Sequence, residues 1–179
     1  MSFARVRALA VVGTLVVAAA IFVIVALVKD RQSSPQEAQG CTEGAIVANA
    51  KLPTTEQVKL NIYNATGTPG LATDVSKEFL ARRFKEATVQ TAAPNPPVNK
   101  PGDKVAFIRY GPQTVGAAWL MRAYFLNEAE TQFDKARQDD RVDVIIGGRF
   151  RQLPTITEVN QAIGALGNPS LPEGTCAAE

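Results

Sequence analysis

The chain contains no histidine and only two cysteines, Cys41 and Cys176. Without histidine no Ser-His-Asp or Cys-His pair can form. No C-x-x-C spacing occurs either, so metal ligation and thiol redox chemistry lack their usual groups. Ser76 is followed three residues on by Phe79, not by the lysine of an S-x-x-K pair. An excess of one charge is also missing. Arg5, Arg7, Lys29, Arg31 and Asp30 flank an apolar stretch, and outside it fifteen basic residues meet sixteen acidic ones. That balance provides no basic face for nucleic acid.

What the sequence does have is one long apolar run. No residue from Ala8 to Val28 is charged. About 21 helical residues span about 30 Å, the thickness of a bilayer hydrocarbon core. A cleaved signal peptide has a shorter apolar core and a small-residue cleavage site, whereas this run leads straight into Lys29, Asp30 and Arg31. A lipoprotein would place its cysteine at the end of the run, but Cys41 follows a polar spacer. The run is therefore expected to be a transmembrane helix. Arginine and lysine number two on each side, so charge alone barely sets its orientation. The cysteines bear on that question. One precedes and one follows the main globular pattern, and in an exported protein their natural reading is a disulfide joining the two ends. Closing so long a loop stabilises by about 4–5 kcal/mol in the chain-entropy model. The alternative is two unpaired thiols in the tails. A disulfide puts the N-terminus inside and the domain outside the cytoplasmic membrane.

The expected organisation is a cytoplasmic N-terminus at 1–7, the span at 8–28, an extracytoplasmic linker at 29–55, an α/β domain at 56–167 and a tail at 168–179. The stretch "VKLNIYN" alternates as a half-buried strand does. A turn "ATGTPG" follows, then a helix to about Phe84 whose Leu71, Val75 and Phe79 recur on one face. "ATVQTAA" and "KVAFIRYG" read as strands joined by a proline-rich hairpin-type loop. A second helix, near 113–125, is apolar nearly all round and is expected to be buried or to offer a contact face. An edge strand near 131–133, the core strand "VDVIIGG", and a helix in "TITEVNQAIGAL" complete the order. Two βαβ-like halves with helices on one face of a sheet suggest an α+β fold, a ferredoxin-like α/β sandwich.

The glycine turn after the first strand invites a phosphate-binding reading, which its details refuse. A dinucleotide fingerprint needs G-x-G-x-x-G, and a phosphate loop needs G-K-[ST]; here only Gly67 and Gly70 are present, and Pro69 removes one N–H. Asn64-Ala65-Thr66 also fits a glycosylation sequon, though Asn64 suits a backbone-bonding turn residue. Asp139, Asp140 and Asp143 cluster before the core strand and suit a solvated turn better than a calcium loop.

The segment "VKLNIYNATGTPGLATDVSKEFLARRF" resembles the opening of the LytR C-terminal domain family. Asn64, Thr66, Gly67, Gly70, Leu71 and Ala72 match its strand, turn and helix start. "VAFIRYGPQTVGAAWLMRAYF" and "RVDVIIGGRF" occupy the positions of its second half, so the resemblance covers roughly residues 56 to 152. The single span and the flanking cysteines are similar to small, membrane-anchored envelope-integrity proteins of actinobacteria that carry this domain alone. Many family members place a phosphotransferase domain before it. This chain has no room for one, so the resemblance implies no catalysis, no cofactor and no metal. It implies an extracytoplasmic module that supports envelope integrity by binding a cell-wall glycopolymer, peptidoglycan or a wall-assembly protein. The candidate contacts are Asn64, Thr66, Gly67 and Gly70 of the turn, Arg109, Trp119 and Tyr124, and Arg149 and Arg151. Two rival readings stand beside it. One is an envelope enzyme using Asp139, Asp140 or Asp143. The other is a scaffold acting through its apolar second helix.

Overall fold

The computed structural model describes residues 12–21, 23, 41 and 44–177. The chain divides into two compact units, residues 1–37 and 38–179. In the first, helix α1 comprises the described residues 12–21 and 23, with Leu15, Val16 and Ile21 exposed. Among the described residues no helix is long and apolar enough to cross a membrane. The remainder of the expected span at 8–28 lies outside them, as does most of the expected linker.

The second unit is mixed α+β. Five strands form one sheet in the order β3-β2-β6-β4-β5: β2 (Lys59–Asn64), β3 (Glu86–Val89), β4 (Ala106–Tyr110), β5 (Glu130–Phe133) and β6 (Arg141–Ile146). Helix α2 (Leu71–Ala81) connects β2 to β3, α3 (Val115–Ala123) connects β4 to β5, and α4 (Ile156–Leu166) follows β6. Both βαβ halves are present, but they are not interleaved as a ferredoxin-like sandwich requires. β2 lies directly beside β3 and β4 directly beside β5, each pair parallel. Within the sheet the halves meet only through β6, parallel to β2 and antiparallel to β4. The proline-rich segment between β3 and β4 is correspondingly no hairpin. Its two strands lie on opposite sides of β2 and β6.

Alternation decides which side chains enter the core. Leu60 and Ile62 of β2, Ile108 of β4, and Val142, Val144 and Ile146 of β6 are completely buried in one apolar cluster. Helix residues Val75, Phe79, Met121 and Val159 join them. Each such side chain contributes about 1.5–3 kcal/mol by leaving water. At the helix layer the rings of Phe79, Phe84 and Tyr124 meet at centroid distances of 5.0–5.8 Å. The all-apolar pattern of α3 has a plain cause: the sheet lies on one side of it and α4 packs on it as well. It therefore offers no free apolar face for a partner.

Helix ends follow local chemistry. Gly70, at φ +79°, precedes the first turn of α2 and is its cap residue, a left-handed conformation that suits glycine. Thr155 caps α4 through a reciprocal box with Glu158. Hydrogen bonds from Thr155 hold the Glu158 carboxyl below its ordinary pKa.

Two short strands stand apart from the main sheet. β1 (Ile46–Ala48) pairs in parallel with β7 (Thr175–Ala177), and the Cys41–Cys176 disulfide joins the same two segments, with Cα atoms 5.5 Å apart. The stretch read from sequence as the end of a linker is thus fastened to the domain. The Asn49 N–H donates to the Pro112 carbonyl at 2.8 Å, and the Gly116 N–H donates to the Asn49 carbonyl at 3.0 Å. A side chain at Gly116 would collide with the Lys51 carbonyl.

Gly116→Ala is expected to destabilise the domain by about 1–3 kcal/mol, because rigid backbone must shift. Gly164→Ala, in α4 with open space around it, should stabilise by about 0.5–1 kcal/mol through helix propensity. Denaturant unfolding of the two variants beside the parent checks both signs.

Candidate functional site

Three places in the second unit gather polar groups. The first is the turn after β2. Asn64 Nδ2 donates to the Thr68 carbonyl at 2.7 Å, and Asn64 Oδ1 accepts from the Thr66 N–H at 3.0 Å and the Thr66 hydroxyl at 2.7 Å. The Thr68 N–H donates to Thr66 Oγ1 at 3.1 Å. Both side chains are spent on holding the turn. Gly67 and Gly70 are exposed. β2 and β6 end in register, and the Ala65 N–H donates to the Ile146 carbonyl at 3.0 Å. The turn and the segment Gly147–Arg149 therefore leave the same end of the sheet, with the Arg149 side chain exposed.

The second place is the sheet face opposite the helices. Asp143 is directly paired in register with Asn61 on one side and Arg109 on the other. It is only 6% exposed. Arg137 grips both of its oxygens, at 2.7 and 2.9 Å, and Asn61 Nδ2 donates to Oδ1 at 2.9 Å. Burial works against the Arg137 charge. The hydrogen bonds it donates to Asp143 and Asp139 outweigh it and raise its pKa above the ordinary arginine value. Burial, then the nearby Asp143 charge, pushes the Tyr63 hydroxyl up. Arg109 is buried but has neutral partners: Gln132 Oε1 at 3.2 Å and the Pro96 carbonyl at 2.6 Å, both from Nη2. Its Nη1 is buried without an acceptor. The proline-rich segment thus reaches this face and contributes a ligand to its arginine.

The carboxylates that could serve an enzyme are all engaged. Asp143 and Asp139 bind Arg137, the latter at 2.8 Å, and Asp140 binds Lys59 at 2.6 Å. The hydrogen bond from Lys59 holds the Asp140 carboxyl below its ordinary value of 3.8.

The third place is a cleft of about 520 Å³ at the other end of the sheet, where β2 and β6 begin and β4 finishes. One wall is the fastened segment, through Val47, Asn49 and Lys51. The other carries Gln57, Gln113 and Asp140, and the floor includes Val58 and Ala117. The size is that of a small-ligand site.

A family model described as the LytR cell envelope-related transcriptional attenuator matches residues 57–150, just over half of the chain. The chain belongs to this LytR C-terminal family. The crystal structure of the soluble domain of a conserved hypothetical secreted protein (Rv2700 ortholog) from Mycobacterium marinum is similar to it. That chain is 23% identical, the match covering 71% of this chain and 81% of the other, with a TM-score of 0.47. No curated protein sequence matches. The LytR_C match takes in the five-stranded sheet, α2 and α3. It leaves out β1, α4, β7 and both bridged cysteines.

Within the LytR_C domain the sequence-derived contact residues do not form one site. The turn residues and Arg149 share one sheet end, and Arg109 is buried in mid-sheet. Trp119 lies half-buried on α3, its Nε1 donating to the Gly167 carbonyl at 3.1 Å and its ring 4.6 Å from the Arg122 guanidinium. Tyr124 is core, and Arg151 is exposed. Sequence reading missed Arg137, placed in a polar segment, and the cleft residues Asn49, Lys51 and Gln57, placed at the linker boundary. The cysteine bridge was the one signal that could have brought that segment back to the domain.

Asp143→Ala leaves the buried Arg137 with only the exposed Asp139 as its carboxylate, and a loss of up to about 3–5 kcal/mol is expected. Adding Arg137→Met should cost much less than its own single effect, giving a coupling of about 1–3 kcal/mol in a double-mutant cycle. For the exposed Asp140 the effect is small. A depressed carboxyl pKa contributes stability present above the ordinary value and lost as pH falls through the folded one. Asp140→Asn should therefore lower stability by less than about 1 kcal/mol at neutral pH, with the difference vanishing below pH 3.8; urea melts across acid pH measure it.

Proposed function

We propose that this protein is a membrane-anchored, extracytoplasmic binding module that supports cell-envelope integrity without catalysing a reaction. Its partner is a wall polymer or a wall-assembly protein. One observation carries the reading: Asp143 and Asp139 at the sheet's polar face are both held by Arg137, while an open cleft elsewhere is walled by polar side chains. A locked charge network favours rigidity and gripping over proton transfer. The family's description as cell envelope-related supports this reading. The Cys41–Cys176 bridge suits an oxidising compartment, and the uncharged run from Ala8 to Val28 suits an anchor.

The test is cosedimentation of the full-length protein, in detergent, with purified insoluble wall, followed by assay of the supernatant for released fragments. Saturable binding without release is the expected result. Release of soluble fragments, abolished by Asp143→Asn, would establish the enzyme reading instead. Absence of wall binding, with crosslinks to a membrane protein in cells, would leave the protein-partner form. A Cβ at Gly67 has no atom within 4 Å, so Gly67→Val separates the turn from the cleft: unchanged wall binding in that variant removes the turn from the ligand surface.

A further inference from the structure

We propose that a small cleft between α3, the edge strand β5 and the C-terminal segment binds a phosphate group. This rests on the binding-module reading above and adds to it a site with a stated ligand chemistry.

The cleft has a volume of about 120 Å³ and is lined by Tyr110, Trp119, Arg122, Thr131 and Ser170 together with apolar groups. Strand register brings two of these together. Ile108 pairs with Thr131 and Tyr110 with Phe133. Ile108 belongs to the helix-facing core, so alternation puts Tyr110 and Thr131 on that face as well. Trp119 and Arg122 stand at i and i+3 on α3 and share one side of it. The wall from the C-terminal segment is fixed. The Thr175 N–H and hydroxyl both donate to the Pro172 carbonyl, at 3.1 and 2.6 Å, and β7 then pairs with β1.

Charge decides the sign of the ligand. No aspartate or glutamate lines the cleft, and Arg122 has no carboxylate partner among the described residues. Its guanidinium lies over the Trp119 ring, 4.6 Å from the centroid, and Trp119 Nε1 is itself tied to the Gly167 carbonyl. An aromatic face thus holds the cation in place without neutralising it. Burial pushes the Tyr110 hydroxyl up, with the Arg122 charge acting against it. The phenol keeps its proton at neutral pH and lies within the field of the guanidinium.

The number and direction of donors decide the chemistry. The hydroxyls of Tyr110, Thr131 and Ser170 make no hydrogen bond among the described residues, and each can donate. With the guanidinium they form a set of donors from β4, α3, β5 and the C-terminal segment. The fork of Arg122 alone would satisfy the two oxygens of a carboxylate. A phosphate has further oxygens, directed tetrahedrally, to meet the hydroxyls. A sugar ring fits less well. One Trp119 face on which it could stack is already taken by Arg122, and the volume is below that of ordinary small-molecule sites. The cleft therefore takes one anionic group of a larger ligand.

Trp119 is the chain's one tryptophan, so its fluorescence reports this cleft. The full-length chain in a phosphate-free detergent is titrated, at constant pH and ionic strength, with inorganic phosphate, glycerol 3-phosphate, bis(glyceryl) phosphate and acetate. The expected result is a saturable change in Trp119 emission with the phosphates, and binding about 5-fold weaker with acetate. Arg122→Gln should weaken phosphate binding about 10-fold, the worth of a charge-assisted bond, and Tyr110→Phe about 3-fold. Tyr110→Phe removes one oxygen and keeps the ring, so it tests the site independently of any disturbance from Arg122→Gln. No saturable change with any phosphate, equal affinity for acetate, or unchanged affinity in both variants would overturn the proposal. A lipid headgroup and a wall-borne polymer share this chemistry. Phosphatidylglycerol nanodiscs that block the bis(glyceryl) phosphate response, where phosphatidylcholine nanodiscs leave it, indicate the headgroup; a response intact in both indicates the polymer. Wall cosedimentation that persists while every phosphate fails would sink this inference and leave the binding-module function standing. Phosphate binding without wall cosedimentation would keep the inference and remove the wall-polymer form of that function.

Discussion

The seating of β6 between β2 and β4 is the interaction on which the domain depends. Each βαβ half is locally complete, with its two strands adjacent and a helix crossing between them. Neither half touches the other through its sheet until Arg141–Ile146 arrives. β6 is buried along almost its whole length, with Val142, Val144 and Ile146 facing the helices. It therefore provides backbone pairing for both halves and a shared apolar surface for the helix layer.

The same strand explains the polar chemistry of the other face. Asp143 is the one charged residue in the apolar part of β6, and its register sets it between Asn61 and Arg109. Burying a lone carboxylate there is costly, and the fold answers with a two-pronged contact from Arg137 and an amide from Asn61. Such a network is worth little in net stability against an apolar substitute. It does penalise any slip of β6 by one residue, which would carry Asp143 into the helix-facing core. A charged face organised to fix register is in keeping with the binding function proposed above.

The chain's ends supply the second element. The disulfide and the β1–β7 pairing turn a stretch of linker composition into a wall of the domain. They create a cleft that the family-matched region alone lacks.

Much was legible before any coordinates. β2, β4, β6 and α4 follow from alternation, from an apolar run stopped by Gly147-Gly148, and from the helical pattern of "TITEVNQAIGAL", all of which act within a few residues. The family resemblance was carried by Asn64 through Ala72, where turn and helix-start chemistry is local as well. Strand order was not legible. The interleaved sandwich and the direct-neighbour arrangement use the same sequence of elements and the same inward faces, and differ only in which edges pair. β1 and β7 were hidden because three-residue strands have too few alternations to show a period, and their stability comes from each other and from the bridge. The sequence by itself determined the elements, the apolar face of each, and the pairing-ready cysteines, because these depend on side chains close along the chain. Only the tertiary structure decided that Arg109 is buried, that Arg137 holds Asp143, and that the linker forms a wall, because each depends on backbone edges and charges brought together from distant segments.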